Sequence, residues 1–171
     1  MNEIVKANLK DAKILSKLSI ESFLPAHSHS APKKEIDEYV SKNFTEENYK
    51  KELSNLLNNY YLYFTKNKIS GYSKVVFNDT CPDISSRNIS YLSRIYFLEE
   101  FYGKGFAKEL LEFNCKLCKE NNQKGIWLKV WIENKRAIQF YKKMGFRIVG
   151  ESGFKVTENH SNPNYHLYLE F

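Results

Sequence analysis

Leu98-Glu99-Glu100-Phe101-Tyr102-Gly103-Lys104-Gly105-Phe106-Ala107-Lys108-Glu109-Leu110 joins two patterns of different period. Before it runs Ile89-Ser90-Tyr91-Leu92-Ser93-Arg94-Ile95-Tyr96-Phe97, which reads as a strand. After it, Phe106, Ala107, Leu110, Leu111, Asn114, Leu117 and Cys118 recur at helical spacing. The order is therefore strand, glycine-bearing turn, helix start. The first N–H groups of a helix have no acceptor inside it, and the helix dipole adds partial positive charge there. Such a junction suits a phosphate or pyrophosphate. Gly103 and Gly105 let the backbone approach an anion, and Lys104 and Lys108 add charge beside it. The same glycine pair also suits a plain tight turn. It is not a P-loop, since no Gly-Lys-Ser/Thr follows at the required spacing, and it lacks the third small residue of the dinucleotide fingerprint.

Downstream, Gly125-Ile126-Trp127-Leu128-Lys129-Val130-Trp131 reads as a strand covered on both faces. Asn134 is placed to cap the helix that follows, in which Ala137, Ile138, Tyr141 and Met144 share a face. Gly145 sits where that helix would end.

Tyr102-Gly103-Lys104-Gly105-Phe106-Ala107 followed by Asn134-Lys135-Arg136-Ala137-Ile138-Gln139-Phe140-Tyr141-Lys142-Lys143-Met144-Gly145-Phe146 resembles the GCN5-related N-acetyltransferase (GNAT) superfamily. The resemblance runs over nearly the whole chain. Ser19-Ile20-Glu21-Ser22-Phe23, Arg94-Ile95-Tyr96 and Ile126-Trp127-Leu128 through Trp131 look like its bacterial spermidine/spermine acetyltransferase branch. The resemblance implies transfer of an acetyl group from acetyl-CoA to a primary amine of a small molecule, with a polyamine as first acceptor, by direct transfer in a ternary complex. It implies a cofactor pyrophosphate on the turn Tyr102, Gly103, Lys104, Gly105, Phe106, Ala107 and Lys108. It puts the pantetheine arm beside the backbone of Ile95, Tyr96 and Phe97 and against Asn134, and extends the cofactor surface to Arg136, Ala137 and Lys143. Tyr141 falls where the family's tyrosine reaches the sulfur.

That assignment agrees with the chemistry. A phenol, with a pKa of about 10, is protonated at neutral pH and can donate to a departing thiolate. A strand N–H near Phe97 can hold the developing oxyanion. The alternative for Tyr141 is a core aromatic with a satisfied hydroxyl.

The chain departs from the family pattern in two places. Glu100 stands where Gln or Arg is usual, so no ligand role is carried over to it. Tyr91 and Ser93 stand where relatives carry a glutamate that acts as base. Either the amine enters neutral, or a group such as Glu21 or His27 helps. Glu21, Phe23, His27 and Tyr39 are the candidate substrate residues, within a segment, Phe23 to Phe44, that resembles the family's acceptor-side lid. Glu35, Asp37 and Glu38 are further acidic candidates for a polyamine.

A chain of 171 residues is read as one domain, 1–171, of α/β class with a mixed sheet flanked by helices on both faces. Hydrophobic content of 42% and aromatic content of 15% suit a packed core. No apolar run suggests a membrane span or signal peptide, so a cytoplasmic location is expected. The charge of +6 permits nucleic-acid binding or attraction of a polyanionic cofactor. The lysines are scattered, so no nucleic-acid partner is expected. No metal is expected either. Cys115 and Cys118 lie in a helix pattern without a second pair, and His27 and His29 lack a third ligand. A homodimer through sheet edges is an open arrangement. The competing functions are a CoA-binding sensor with little catalysis and acetylation of a protein or peptide amine.

Along the rest of the chain, Glu3–Ala7 reads as a strand and Asn8 as the cap of a helix running to about Ser22. Pro25 to Pro32 reads as a loop, Glu35 to Phe44 as a short helix, and Thr45 as the cap of a third helix bearing Tyr49, Leu53, Leu56 and Leu57 on one face. Tyr60–Phe64 and Gly71–Phe77 read as a hairpin, and Phe146–Gly150 and Tyr165–Leu169 as the last two strands.

Overall fold

A computed structural model describes all residues, Met1–Phe171. Seven strands form one mixed sheet: β1 (Asn2–Lys6), β2 (Asn58–Thr65), β3 (Lys68–Val76), β4 (Ser90–Phe97), β5 (Gly125–Trp131), β6 (Arg147–Lys155) and β7 (Ser161–Glu170). Their order is β1-β2-β3-β4-β5-β7-β6. Five helices accompany them: α1 (Ala12–His27), α2 (Lys33–Asn43), α3 (Glu46–Ser54), α4 (Phe106–Glu120) and α5 (Lys135–Lys143). The α/β class and mixed sheet are as expected. No helix is long and apolar enough to cross a membrane. Two compact units are described separately: Met1–Lys74 with Arg94–Leu111, and Val75–Ser93 with Glu112–Phe171.

In the first unit, β1 pairs antiparallel with β2 from Asn2↔Thr65 to Lys6↔Tyr61. The β2–β3 connection is Lys66-Asn67, both at positive φ, which matches the twist of the flanking strands. Asn8 closes a full capping box with Asp11. The chain then enters α1, which continues past Ser22 to His27. The expected loop from Pro25 is thus wrong in its first three residues. Pro25 lies in the last turn, and the ring stack of Phe23 on His27 at 4.4 Å favours keeping that turn helical. Thr45 caps α3 through its Oγ1, which accepts from the Asn48 N–H at 3.1 Å. That helix stops at Ser54, because the Asn55 side chain accepts from the Leu57 N–H and turns the chain. Leu56 and Leu57 are therefore exposed rather than on a helix face.

In the second unit, β5 pairs parallel with β4 through Ser90↔Ile126 and Tyr91↔Trp127, and antiparallel with β7 from Gly125↔Glu170 to Trp131↔Asn164. Burial covers β5 almost throughout, as a strand flanked on both sides requires. The last two strands extend well beyond their expected bounds. They form a ladder from Arg147↔Tyr168 to Lys155↔Ser161, with a bulge between Ile148 and Gly150.

Candidate active site

The turn is built as its sequence dictates. Gly103 and Gly105 have φ of +74° and +81°, a region that only glycine enters freely, and a Cβ on either would meet nothing within 4 Å. Both backbones therefore face open space. The Gly105 carbonyl accepts from the N–H groups of Lys108 and Glu109, so helical bonding starts there. The Tyr102 N–H donates to the Glu99 carbonyl at 3.0 Å. Two of the expected anion-binding amides, those of Tyr102 and Lys108, are thus engaged by the chain itself. Gly103 to Ala107 carry the amides left for an anion. Lys104 lies over the Phe101 ring at 5.1 Å, and Glu100 is exposed in the short 3-10 turn before it.

The strand before the turn is held by close packing. A Cβ at Gly71 would stand 2.6 Å from the Tyr96 carbonyl and 2.5 Å from the Phe97 ring, so glycine at this point of β3 lets β4 hold Phe97 in this position. Phe97 packs edge-on to Tyr63, and both lie against Phe106 at the start of α4. The Tyr63 hydroxyl donates to Glu109 in the first turn of that helix.

The candidate substrate residues separate. Phe23, His27 and Tyr39 come together: Phe23 stacks on His27 and on Tyr39 and lies edge-on to Phe44 and Tyr96. His27 Nε2 bonds with the Tyr96 hydroxyl at 3.1 Å. Burial lowers the His27 pKa to about 4, so its ring is neutral at neutral pH. Glu21 does not join them. It is exposed on α1, 3.8 Å from Lys17. Asp37 is likewise paired with Lys33 at 2.6 Å, and Glu38 is exposed. No acidic cluster for a polyamine forms from these groups.

Beside this aromatic group lies a buried polar network that the sequence did not announce. Arg94 donates to the hydroxyls of Tyr49 (3.2 Å) and Tyr60 (2.7 Å) and stands 3.6 Å from Glu52. Lys74 pairs with the same carboxylate at 2.7 Å. Ser19 bonds the hydroxyls of Tyr49 and Tyr72. Burial pushes the Glu52 pKa up, but Arg94 and Lys74 outweigh it and hold the carboxyl below its usual range. Five chain segments supply this network, and the Ser19–Phe23 and Arg94-Ile95-Tyr96 signatures touched two of them without indicating that they meet.

In the second unit, Asn134 Oδ1 accepts from the Ala137 N–H at 3.2 Å and caps α5 as expected. Lys135 to Lys143 then form the helix, with Arg136 and Lys143 exposed and Ala137 half-buried. Its far end closes on Gly145 at φ +92°. The Phe146 N–H returns to the Tyr141 carbonyl and the Gly145 N–H to the Lys142 carbonyl, both at 3.0 Å. The Phe146 ring packs edge-on to Tyr141, so the helix stop also fixes the tyrosine. Tyr141 is buried, and that burial, with Tyr91 nearby, raises its pKa well above the ordinary phenol value. Its hydroxyl stays protonated throughout the physiological range. Tyr91 itself stacks on Trp127 at 4.4 Å, so an aromatic contact occupies one of the two positions at which the resemblance would place a glutamate.

The acetyltransferase (GNAT) family model matches residues 20–146. An uncharacterized N-acetyltransferase in the pepI 3′ region of Lactobacillus delbrueckii subsp. lactis is 24% identical over 152 residues, 89% of this chain and 88% of its own. The uncharacterized N-acetyltransferase Rv2669 of Mycobacterium tuberculosis is 30% identical over 95 residues, 56% of each chain. Among solved structures, the PaiA N-acetyltransferase of Thermoplasma acidophilum in complex with coenzyme A superposes with a TM-score of 0.79 at 19% identity, over 100% of this chain and 99% of that one. The ribosomal-protein-S18-alanine N-acetyltransferase of Escherichia coli gives 0.72 at 15% identity, over 99% and 94%.

Proposed function

The chain belongs to the acetyltransferase (GNAT) family and is an acetyl-CoA-dependent N-acetyltransferase, and on that premise we propose which residues do the work and which amine accepts the acetyl group. Residues 1–171 are read as one such domain. The observation that carries the cofactor assignment is the turn: two glycines at positive φ, facing open space, at the head of a fifteen-residue helix. The amides of Gly103, Lys104, Gly105, Phe106 and Ala107 take the pyrophosphate, with Lys104 and Lys108 as counter-charges. The backbone of Ile95, Tyr96 and Phe97 and the Asn134 side chain serve the pantetheine arm. Arg136, Ala137 and Lys143 line the outer end.

Transfer runs directly in a ternary complex. The acceptor nitrogen attacks the thioester carbonyl carbon, and its oxygen gains charge, held by a β4 N–H near Phe97. The C–S bond then breaks, and the thiolate takes the Tyr141 proton. The amine's own proton leaves to water, and water returns a proton to Tyr141 before the next turnover. His27 is too weak a base to hold that proton, Glu52 is committed to Arg94 and Lys74, and Glu21 is exposed beside Lys17. The amine therefore reacts from its small neutral fraction, and kcat/KM for the acceptor rises with pH toward the amine's own pKa.

A polyamine is the first acceptor, supported by the branch resemblance and by the half-buried aromatic rings of Tyr39 and Tyr96, a residue type that attracts an ammonium group. A protein or peptide amine is the second reading, favoured by the fold it shares with a ribosomal-protein-alanine N-acetyltransferase. The three free cysteines suit the cytoplasm. Outer strands β1 and β6 offer edges for a homodimer. The test is release of free CoA thiol over a panel of spermidine, spermine, diaminoalkanes, amino acids and short peptides. Turnover with the first three supports the polyamine reading. Turnover confined to peptides replaces it with the second.

A further inference from the structure

We propose that Cys81, Asp83 and His166 form a zinc site with an open fourth position. Cys81 and Asp83 lie in the loop after β3, and His166 lies on β7. Their donor atoms converge: Cys81 Sγ is 3.5 Å from His166 Nδ1, His166 Nδ1 is 2.6 Å from Asp83 Oδ2, and Cys81 Sγ is 3.9 Å from Asp83 Oδ2. All three fall within 4.8 Å of one another. In a tetrahedral zinc centre, bond lengths near 2.0–2.3 Å separate adjacent donors by about 3.4–3.6 Å. The S···N distance already matches, the S···O distance closes slightly, and the N···O distance opens by less than about 1 Å.

The surroundings are shaped to bring the carboxylate in. A Cβ at Gly150 would stand 2.1 Å from Asp83 Oδ2, so only glycine at that position admits the side chain. The β6 bulge falls between Ile148 and Gly150, directly across from His166. The other imidazole nitrogen is already oriented: His166 Nε2 bonds with Ser152 Oγ at 2.7 Å. Zinc-bound histidines hold their second nitrogen in this way, which fixes the ring and its tautomer. Trp127 packs edge-on to the ring at 5.6 Å and donates its indole N–H to the Asp79 carbonyl at 2.7 Å, anchoring the loop that carries the other two donors.

Hydrogen bonding alone accounts for His166, with Asp83 on one side and Ser152 on the other. The Cys81 thiol makes long contacts of 3.9 Å to Asp83 Oδ2 and 3.5 Å to His166 Nδ1, which bring a third donor atom to the same centre. Cys81 and His166 are 2% and 3% exposed, whereas the Asp83 side chain is 35% exposed. Ions enter from the Asp83 side, and a water completes the shell there. One sulfur, one imidazole nitrogen and one carboxylate oxygen suit zinc, with cobalt as its spectroscopic substitute. On binding, the Cys81 thiol releases its proton to water and the thiolate donates to the metal. The bound ion would staple the β3–β4 loop to β7.

The test uses the full chain, freed of any tag, stripped with chelator and reloaded with zinc chloride. Metal content after gel filtration is expected to be one zinc per chain. Cobalt is expected to give a thiolate charge-transfer band in the near ultraviolet. Cys81→Ser abolishes that band, Asp83→Asn weakens zinc binding at least about tenfold, and Cys115→Ser leaves both unchanged. Circular dichroism establishes that each variant is folded. Less than stoichiometric zinc on the unmutated chain, or full retention by folded Cys81→Ser, overturns the proposal. Neither readout depends on acetyl transfer.

Discussion

Tyr141, the proposed acid for the thiolate, has two properties that suit the role: a proton held at all physiological pH and a fixed ring. The first comes from burial and the second from the stop at Gly145 and Phe146. Tyr141→Phe removes one oxygen and keeps the packing. Steady-state rates are expected to show kcat lowered about a hundredfold, with calorimetric acetyl-CoA affinity unchanged. An unaltered kcat would take Tyr141 out of the acid role. Its flanking motif made this residue legible in the sequence. Arg94, Glu52 and the Cys81 cluster were not legible in their roles, because partners such as Arg94 and Tyr60, 34 positions apart, and Cys81 and His166, 85 apart, meet only through the fold.

His27 belongs to the same scale and carries a pH signature. Its pKa falls from 6.5 to about 4 on burial. Between these values the unfolded chain holds the proton and the folded chain does not. His27 thus contributes a stability term that is fully present above the unfolded value and is lost as pH falls through the window. The term amounts to about 3 kcal/mol at most. Urea titrations of His27→Gln should show a flatter dependence of unfolding free energy on pH between those limits. An unchanged slope would mean that the ring is protonated in the folded chain.

At the scale of elements, the glycine turn makes a separable claim. Gly105 is at φ +81° with empty space beyond its Cα. Gly105→Ala therefore meets no protein atom and costs only backbone strain, about 1–2 kcal/mol. Its methyl group would project into the space assigned to the pyrophosphate. Coenzyme A affinity is expected to fall at least about tenfold, or 1.4 kcal/mol, while a modest drop in Tm reports the strain. Retained affinity with the same Tm drop would move the pyrophosphate elsewhere. Element boundaries were readable where a cap or stop residue marked them, as at Thr45, Asn134 and Gly145. They were not readable where an element owes its length to a partner. Strands β6 and β7 carry Gly153, Asn162 and Pro163, residues that read as loop, yet their mutual ladder keeps them extended. Helix α1 likewise outlasts Pro25 because its last turn is packed through Phe23 and His27.

At the scale of the molecule, the net charge of +6 acts oppositely on the two substrates of the proposed reaction. Acetyl-CoA is a polyanion and is drawn to a basic protein, an attraction that salt screens. A polyamine is a polycation and is repelled unless carboxylates gather where it binds. The acidic residues nearest in sequence to the aromatic group do not gather: Glu21 faces Lys17 and Asp37 faces Lys33. Aromatic faces hold an ammonium with less dependence on salt than carboxylates do. Raising salt from about 0.02 to 0.3 M should therefore raise the KM for acetyl-CoA and lower the KM for spermidine. The opposed slopes separate the acceptor readings. A spermidine KM that climbs with salt would require a carboxylate cluster at the acceptor site. A neutral peptide amine would show almost no slope, and a peptide bearing acidic residues would follow acetyl-CoA.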